Sequence, residues 1–445
     1  MKLFQDIPPL GPEANFTAKL DWAARRDPVG HKVHLVLAVL ALAMLPLSSS
    51  AATIGSTLLI GYALLRSPTI FHCWGGLHRN KSLICLILLL LWLLASTLWS
   101  ADPEHGLRLL RGSRYILLIP ALLPLLRHAS ILMYATCAGV LIQNAVQLYK
   151  VGTIPGYFGG GLDSHPGFAG LWFILCAALF ATGAGLHETN GGFTKRRGWI
   201  LGILSVVTML GTTITEARSI LLGMGIGLGT LCAWSLLKRP RNWKGTTARS
   251  IVMLVILVGT SPLGPFQFGA REAELQTSLL SNSADQSDAD ETARNMNNVR
   301  FVWWDIGLDR LRSNWLAGDG LGSAESAIKS HPTIDELTEG GTKNLFHLRD
   351  DYHSLFVTIA ADSGIIGLAL LLAWLFTLAR QIPNGMAYAP VLAIAFIGYL
   401  TFSAFNTTLF TGRVLAFAIV IMAMTTHRLP SSRPNEEPPD SGMAS

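Results

Sequence analysis

Apolar positions along this chain gather into long runs separated by short polar loops. A helix that crosses a bilayer needs about 20 mostly apolar residues. The runs at 33–48, 51–66, 82–100, 113–127, 129–149, 167–187, 199–214, 219–237, 250–264, 354–380, 387–404 and 409–426 each read as one such helix. The pattern predicts an all-α polytopic membrane protein with about twelve transmembrane helices. The run at 113–127 holds Pro120 and Pro124, and each proline removes a backbone donor, so a broken or tilted helix is expected there. One long polar stretch, 265–352, interrupts the series. The expected organisation is an N-terminal segment 1–32, nine helices over 33–264, a loop domain over 265–352, three helices over 353–427 and a tail 428–445. Residues 1–32 have no signal-peptide core, so the first run is expected to be a retained helix. The Pro, Ser and Glu content of the tail predicts disorder.

Composition supports this reading. Of 445 residues half are hydrophobic and 14% are charged, well below the roughly 25% charge of a soluble domain. The net charge of +6 does not mark a nucleic-acid partner, because the basic residues fall between apolar runs rather than in one patch. Four of the five cysteines, Cys85, Cys137, Cys176 and Cys232, lie inside apolar runs, and Cys73 lies in a short basic loop. Neither a disulfide framework nor a structural zinc is implied. No internal repeat marks the inverted halves of a transporter.

The short loops set the orientation. With the N-terminus in the cytoplasm, that side receives Arg25, Arg26 and Lys32; Arg66, Arg79 and Lys81; Lys195, Arg196 and Arg197; and Lys238, Arg239, Arg241, Lys244 and Arg249. It holds twenty of the 34 Lys and Arg residues, the short opposite loops six, and the long loop eight. Long loops cross largely regardless of charge, so the short loops decide. Both termini are expected in the cytoplasm, with the protein in the inner membrane and 265–352 in the periplasm.

Candidate chemistry collects on that periplasmic side. The acidic run Asp285, Asp288, Asp290 and Glu291 lacks the central glycine and distal Glu of an EF-hand, and reads as a solvated segment. In 299–316 the residues Trp304, Leu308, Leu311 and Trp315 recur at helical spacing, which predicts an amphipathic helix at the membrane surface. Arg300 opens this helix; its structural alternative is an interfacial anchor that snorkels. Gly318, Gly320 and Gly322 allow a tight turn or close approach to a ligand, but form no Walker loop. His353 stands where the long loop enters the tenth run, as a functional imidazole or a packing one. Arg218 begins the eighth run at the bilayer edge, against the inside bias, which marks a functional group unless Glu216 pairs with it. Arg108, Arg111 and Arg114, spaced by three, share a helical face, either to meet lipid phosphates or as interface anchors.

Taken in order, these residues resemble the O-antigen ligase and O-antigen polymerase superfamily of bacterial envelope glycosyltransferases. The resemblance rests on His353, Ser354, Leu355, Asp362, Gly364 and Gly367; on Thr215, Ala217, Arg218 and Ser219; and on the Arg300 helix leading into the Gly318, Gly320, Gly322 turn. Ser354 stands where Asn is commoner, and Asp362 where Glu is. The resemblance implies an all-helical, GT-C-like membrane glycosyltransferase with a lateral opening for a lipid donor. The implied donor is a glycan on undecaprenyl pyrophosphate, and the ligase's acceptor is the lipid A-core oligosaccharide of lipopolysaccharide. No nucleotide sugar, cofactor or metal is implied.

The charges fit that chemistry. Arginine binds phosphate in a planar bidentate way and keeps its charge, so Arg218 and Arg300 are the expected pyrophosphate ligands. Pyrophosphate leaves readily, so no general acid is demanded. The acceptor hydroxyl needs a base, and a histidine near pKa 6.5, kept neutral by neighbouring arginines, suits that role. His353 is the expected catalytic base, with direct attack inverting the anomeric centre. Rival readings are an O-antigen polymerase, which differs in acceptor, a protein O-oligosaccharyltransferase, and, from another class, a transporter of lipid-linked sugars. A transporter should carry charges near the bilayer midplane, whereas these cluster at one face.

Overall fold

The computed structural model describes residues 16–73, 80–154, 161–162, 166–184, 195–214, 218–238, 243–260, 302–331, 351–383 and 388–425. Among the described residues every regular element is helical. In chain order these are α1 (Phe16–Arg26), α2 (Pro28–Met44), α3 (Ser49–Leu65), α4 (Ser67–Cys73), α5 (Lys81–Ser96), α6 (Pro103–Leu109), α7 (Leu118–Leu122), α8 (Ala129–Thr153), α9 (Pro166–Thr182), α10 (Lys195–Ile214), α11 (Arg218–Lys238) and α12 (Trp243–Thr260). Then follow α13 (302–313), α14 (Ala324–Lys329), α15 (Leu355–Gln381), α16 (Ala389–Ala404) and α17 (Gly412–Thr425).

Within the described residues each apolar run is mainly helical, the run at 113–127 largely as 3-10 turns. Around Pro120 and Pro124 the α-helix gives way to 3-10 turns at Leu110–Leu117 and Leu123–His128 on either side of α7, while the chain stays helical through Pro103–Thr153. By length and apolar content, four described helices can cross a membrane, Lys81–Trp99, Pro103–Thr153, Ser219–Leu237 and Leu355–Gln381, or up to six with two bent pairs. Several other runs, such as Ala389–Ala404 and Gly412–Thr425, form shorter apolar helices. By that measure the described helices do not reach the twelve spans expected.

The bent pairs also revise the N-terminal segment. From Phe16 it is helical, and Leu20, Trp22 and Ala23 of α1 are buried. The chain turns 109° from α1 into α2 and 87° from α3 into α4. Asp27, at the first bend, caps α2 by accepting the Gly30 N–H at 2.8 Å. Its other oxygen lies 3.2 Å from Arg66 Nε, at the second bend, and Arg66 Nη1 lies 3.0 Å from His34 Nδ1. One buried ion pair thus joins both bends, and Arg66 is an internal strut rather than a solvated loop charge.

Packing sorts the residues to two ends of the bundle. α2 and α3 are antiparallel, with Tyr62 Oη donating to the Gly30 carbonyl at 3.2 Å. Tyr388, before α16, donates to Ser130 at 2.6 Å near the start of α8. Gln381, closing α15, donates to Asn80 at 2.8 Å before α5. These contacts, with Asp27 and Arg66, mark one end. At the other, α11 passes α16 in the opposite direction. Gly227 faces Ile394, and a Cβ on Gly223 would come 3.0 Å from Gly398 Cα. The first turn of α11 therefore reaches the last turn of α16, the same end as the start of α15.

Candidate active site

That end is organised around a break in α15. Gly364 has φ 64° and ψ −168°, a conformation essentially confined to glycine. A break in an apolar helix frees carbonyls and amides that must find partners. Here the Asp319 N–H donates to the Ala361 carbonyl at 3.0 Å and the Gly320 N–H to the Asp362 carbonyl at 2.8 Å. Trp92 Nε1 of α5 donates to the Ser363 carbonyl at 2.9 Å. Beyond the break, the Ile365 N–H donates to the Trp315 carbonyl at 2.9 Å. The buried Asp362 carboxyl group accepts the Gly322 N–H at 3.3 Å. The glycine turn and the Asp362–Gly364 stretch, distant in sequence, are one interlocked unit.

The turn fits because it lacks side chains. Gly318 and Gly320 have φ of 70° and 94°. A Cβ on Gly318 would come 2.5 Å from the Asp362 carbonyl carbon, and one on Gly320 2.4 Å from Ser100 Cα.

His353 sits just before this unit. Its φ is 53°, in the left-handed region that non-glycine residues seldom occupy. The strain is held locally, since the His353 N–H donates to Asp351 Oδ1 at 2.7 Å. The partly buried ring stacks on Trp303 of α13, with centroids 4.9 Å apart and planes 23° apart. Trp303, Ile306, Tyr352 and Ala361 pack with α14 in a small core of their own. The capping position of α15 belongs to Ser354, so His353 is placed by stacking and not by helix capping. Burial, reinforced by the Asp362 and Asp319 carboxylates, pushes the Tyr352 phenol upward, so it stays protonated at neutral pH.

The other expected residues are placed to different degrees. Arg300 lies outside the described residues, two positions before α13. Arg218 is the first residue of α11, and its backbone stands at the His353 end. Arg108 lies in the last turn of α6, with Nη2 3.4 Å from His105 Nδ1. Arg111 and Arg114 lie in the 3-10 stretch, where positions three apart eclipse. All three are exposed, and Arg114 donates to Thr53 at 3.1 Å. They share the His353 end, because Gly106 packs on Leu321 and Gly112 on Phe410. The acidic run 285–291 lies outside the described residues.

The amphipathic helix is there, but its buried face is Trp303, Ile306 and Gly307. Leu308 and Trp315 of the expected stripe are exposed, and Trp315 lies past the last helical residue. Trp304 and Leu311 of that stripe are partly buried, and the Trp304 ring lies 6.0 Å from that of Phe405. Sequence reasoning missed the Trp303 stack, which no spacing announces. It also missed Arg413, a buried cation at this end whose Cζ lies 5.4 Å from the Phe168 ring centroid. A basic residue opening the last apolar run was the available signal.

Comparison with known proteins supplies one finding. Residues 200–372 match the model of a family described as O-antigen ligase. The match runs from α10 into α15 and takes in Arg218, Arg300 and His353. No curated protein matches the chain.

Proposed function

We propose that this chain, which belongs to the O-antigen ligase and polymerase superfamily through residues 200–372, is the ligase. It transfers a glycan from undecaprenyl pyrophosphate to the lipid A-core oligosaccharide at the periplasmic face of the inner membrane. The observation that carries this reading is the His353 ring stacked on Trp303, beside the anchored glycine turn and at the bundle end where α11 begins with Arg218.

In this mechanism His353 accepts the proton of an acceptor sugar hydroxyl. The oxygen attacks the anomeric carbon of the donor, and the bond from that carbon to the pyrophosphate oxygen breaks with inversion. Undecaprenyl pyrophosphate leaves with the electron pair, and its charge is held by Arg218 and Arg300. Fixed cations aimed at developing charge are among the largest contributions an active site makes. Arg108, Arg111 and Arg114 contact lipid phosphates around the entry. Asp362 is a positioning residue, acting on the glycine turn through the Gly322 amide.

The test is transfer by purified protein from lipid-linked donor to lipid A-core in EDTA. Formation of donor–donor chains without any core product would reassign the protein as a polymerase. Movement of donor across proteoliposomes without a new glycosidic bond would sink the enzyme reading.

A further inference from the structure

Beside the interlocked unit lies a cleft of about 460 Å³, lined by Trp99, Arg310, Asn314, Asp319, Ser323 and Ser326 among others. We infer that it is a subsite for an uncharged sugar ring of a glycan, set apart from the reacting carbon; its use in catalysis rests on the transfer reading above. Its volume falls in the range of small-ligand pockets, roughly 300–1,000 Å³.

The lining decides the ligand class. Arg310 and Asp319 form an ion pair 3.8 Å apart, so the charges balance and a phosphate meets no excess cation. The rest of the polar lining is the hydroxyls of Ser100, Ser323, Ser326 and Ser330 and the carboxamide of Asn314, which donates to Asp319 and keeps its oxygen for a ligand; such uncharged donors and acceptors match a polyol. Trp99 adds a partly exposed indole, 41% accessible, at the end of the α5 span. A flat aromatic face suits the apolar side of a pyranose ring.

The position fits a glycan chain. Trp303 and Arg310 lie seven residues apart on one face of α13, roughly 10 Å along the axis. A glycan reacting beside His353 can therefore lay a more distant sugar in the cleft. The cleft floor is the turn that is bonded to the α15 break, so subsite and His353 share one scaffold.

The experiment titrates full-length protein in detergent with two lipid-free probes, glycan released from the donor and delipidated core oligosaccharide. Wild type is expected to bind one of them, which identifies the source. Trp99→Ala should weaken that binding at least tenfold, Trp99→Phe should recover most of it, and Asn314→Ala should also weaken it. In turnover, the KM for that substrate should rise at least tenfold while kcat stays within twofold. Absence of binding by wild type to both probes overturns the subsite. So does unchanged binding in folded Trp99→Ala, or in Asn314→Ala where Trp99→Ala does not fold. Binding needs neither pyrophosphate nor turnover. Retained binding without any transfer therefore counts against the ligase reading and not against the cleft.

Discussion

The imidazole of His353 lies against the indole of Trp303, 4.9 Å between centroids, on a backbone held at φ 53°. Stacking fixes the ring's plane, and the left-handed backbone fixes where it leaves the chain. Asparagine tolerates that backbone conformation but offers no base at neutral pH. His353→Asn is expected to keep its thermal midpoint within a few degrees of wild type and to lose transfer by at least about 100-fold, the usual share of a general base. Initial rates of core glycosylation check this. Activity within tenfold of wild type would place the base elsewhere.

Arg218 and Arg300 are assigned to one diphosphate, so their losses should have one signature. Replacing either with Ala should cut kcat by about 10² to 10³, the typical cost of removing one charge-stabilising donor. Lysine should restore less than half of that loss on a logarithmic scale, because a point charge does not reproduce the bidentate fork. Single-turnover rates with lipid-linked donor measure both. A lysine variant as fast as wild type would reduce the arginine to a bulk charge.

The break at Gly364 is a structural joint. A Cβ there would stand 2.2 Å from the Leu316 carbonyl oxygen, and its backbone angles are strained for any L residue. Gly364→Ala should therefore destabilise by about 2 kcal/mol or more. It should also loosen the glycine turn, read as faster amide exchange at Asp319 and Gly320, whose N–H groups bond across the break. Unchanged exchange would mean the turn holds without the break.

Much of this was legible in the sequence, for reasons that particular residues make clear. Apolar runs reveal helices because lipid or a helical core admits little else, and Pro120 with Pro124 announced a disrupted stretch. Gly318, Gly320 and Gly322 signalled a special turn, since only glycine adopts such angles without cost. What they were special for was hidden, because the partner carbonyls at 361–362 lie some forty residues on and backbone bonds leave no side-chain trace. The same holds for Asp27 and Arg66. Their pairing needs two sharp bends that hydropathy does not record, so the sequence counted Arg66 as a loop charge. Trp303 could not be told from Trp304, its neighbour, until the face packed on Tyr352 was known.

The Asp27–Arg66 pair carries its own prediction. Both side chains are nearly inaccessible, at 9% and 6%. Removing one partner of such a pair leaves a buried charge uncompensated and typically costs about 3–5 kcal/mol. Asp27→Asn keeps an acceptor for the Gly30 N–H but should still destabilise by about that amount. Asp27→Asn with Arg66→Met should recover much of the loss, measured by thermal unfolding in one detergent. Additive losses would mean that the pair contributes nothing as a pair.

Tyr352 predicts a pH effect of known sign. Its buried phenol, beside the Asp362 and Asp319 carboxylates, titrates above its ordinary value of 10.0. The folded state therefore resists ionisation that the unfolded chain permits. Below about pH 10 both states keep the proton and stability is unaffected. Above it the unfolded state releases the proton first, and stability falls with rising pH by up to about 1.4 kcal/mol per unit. Tyr352→Phe removes this one ionisation while keeping the ring against Trp303 and Gly307. The variant's thermal midpoint should thus track wild type from pH 7 to 9 at a constant offset, then decline less steeply between pH 10 and 11. Parallel curves through that window would mean that the Tyr352 phenol is solvated and that the small core around it is open.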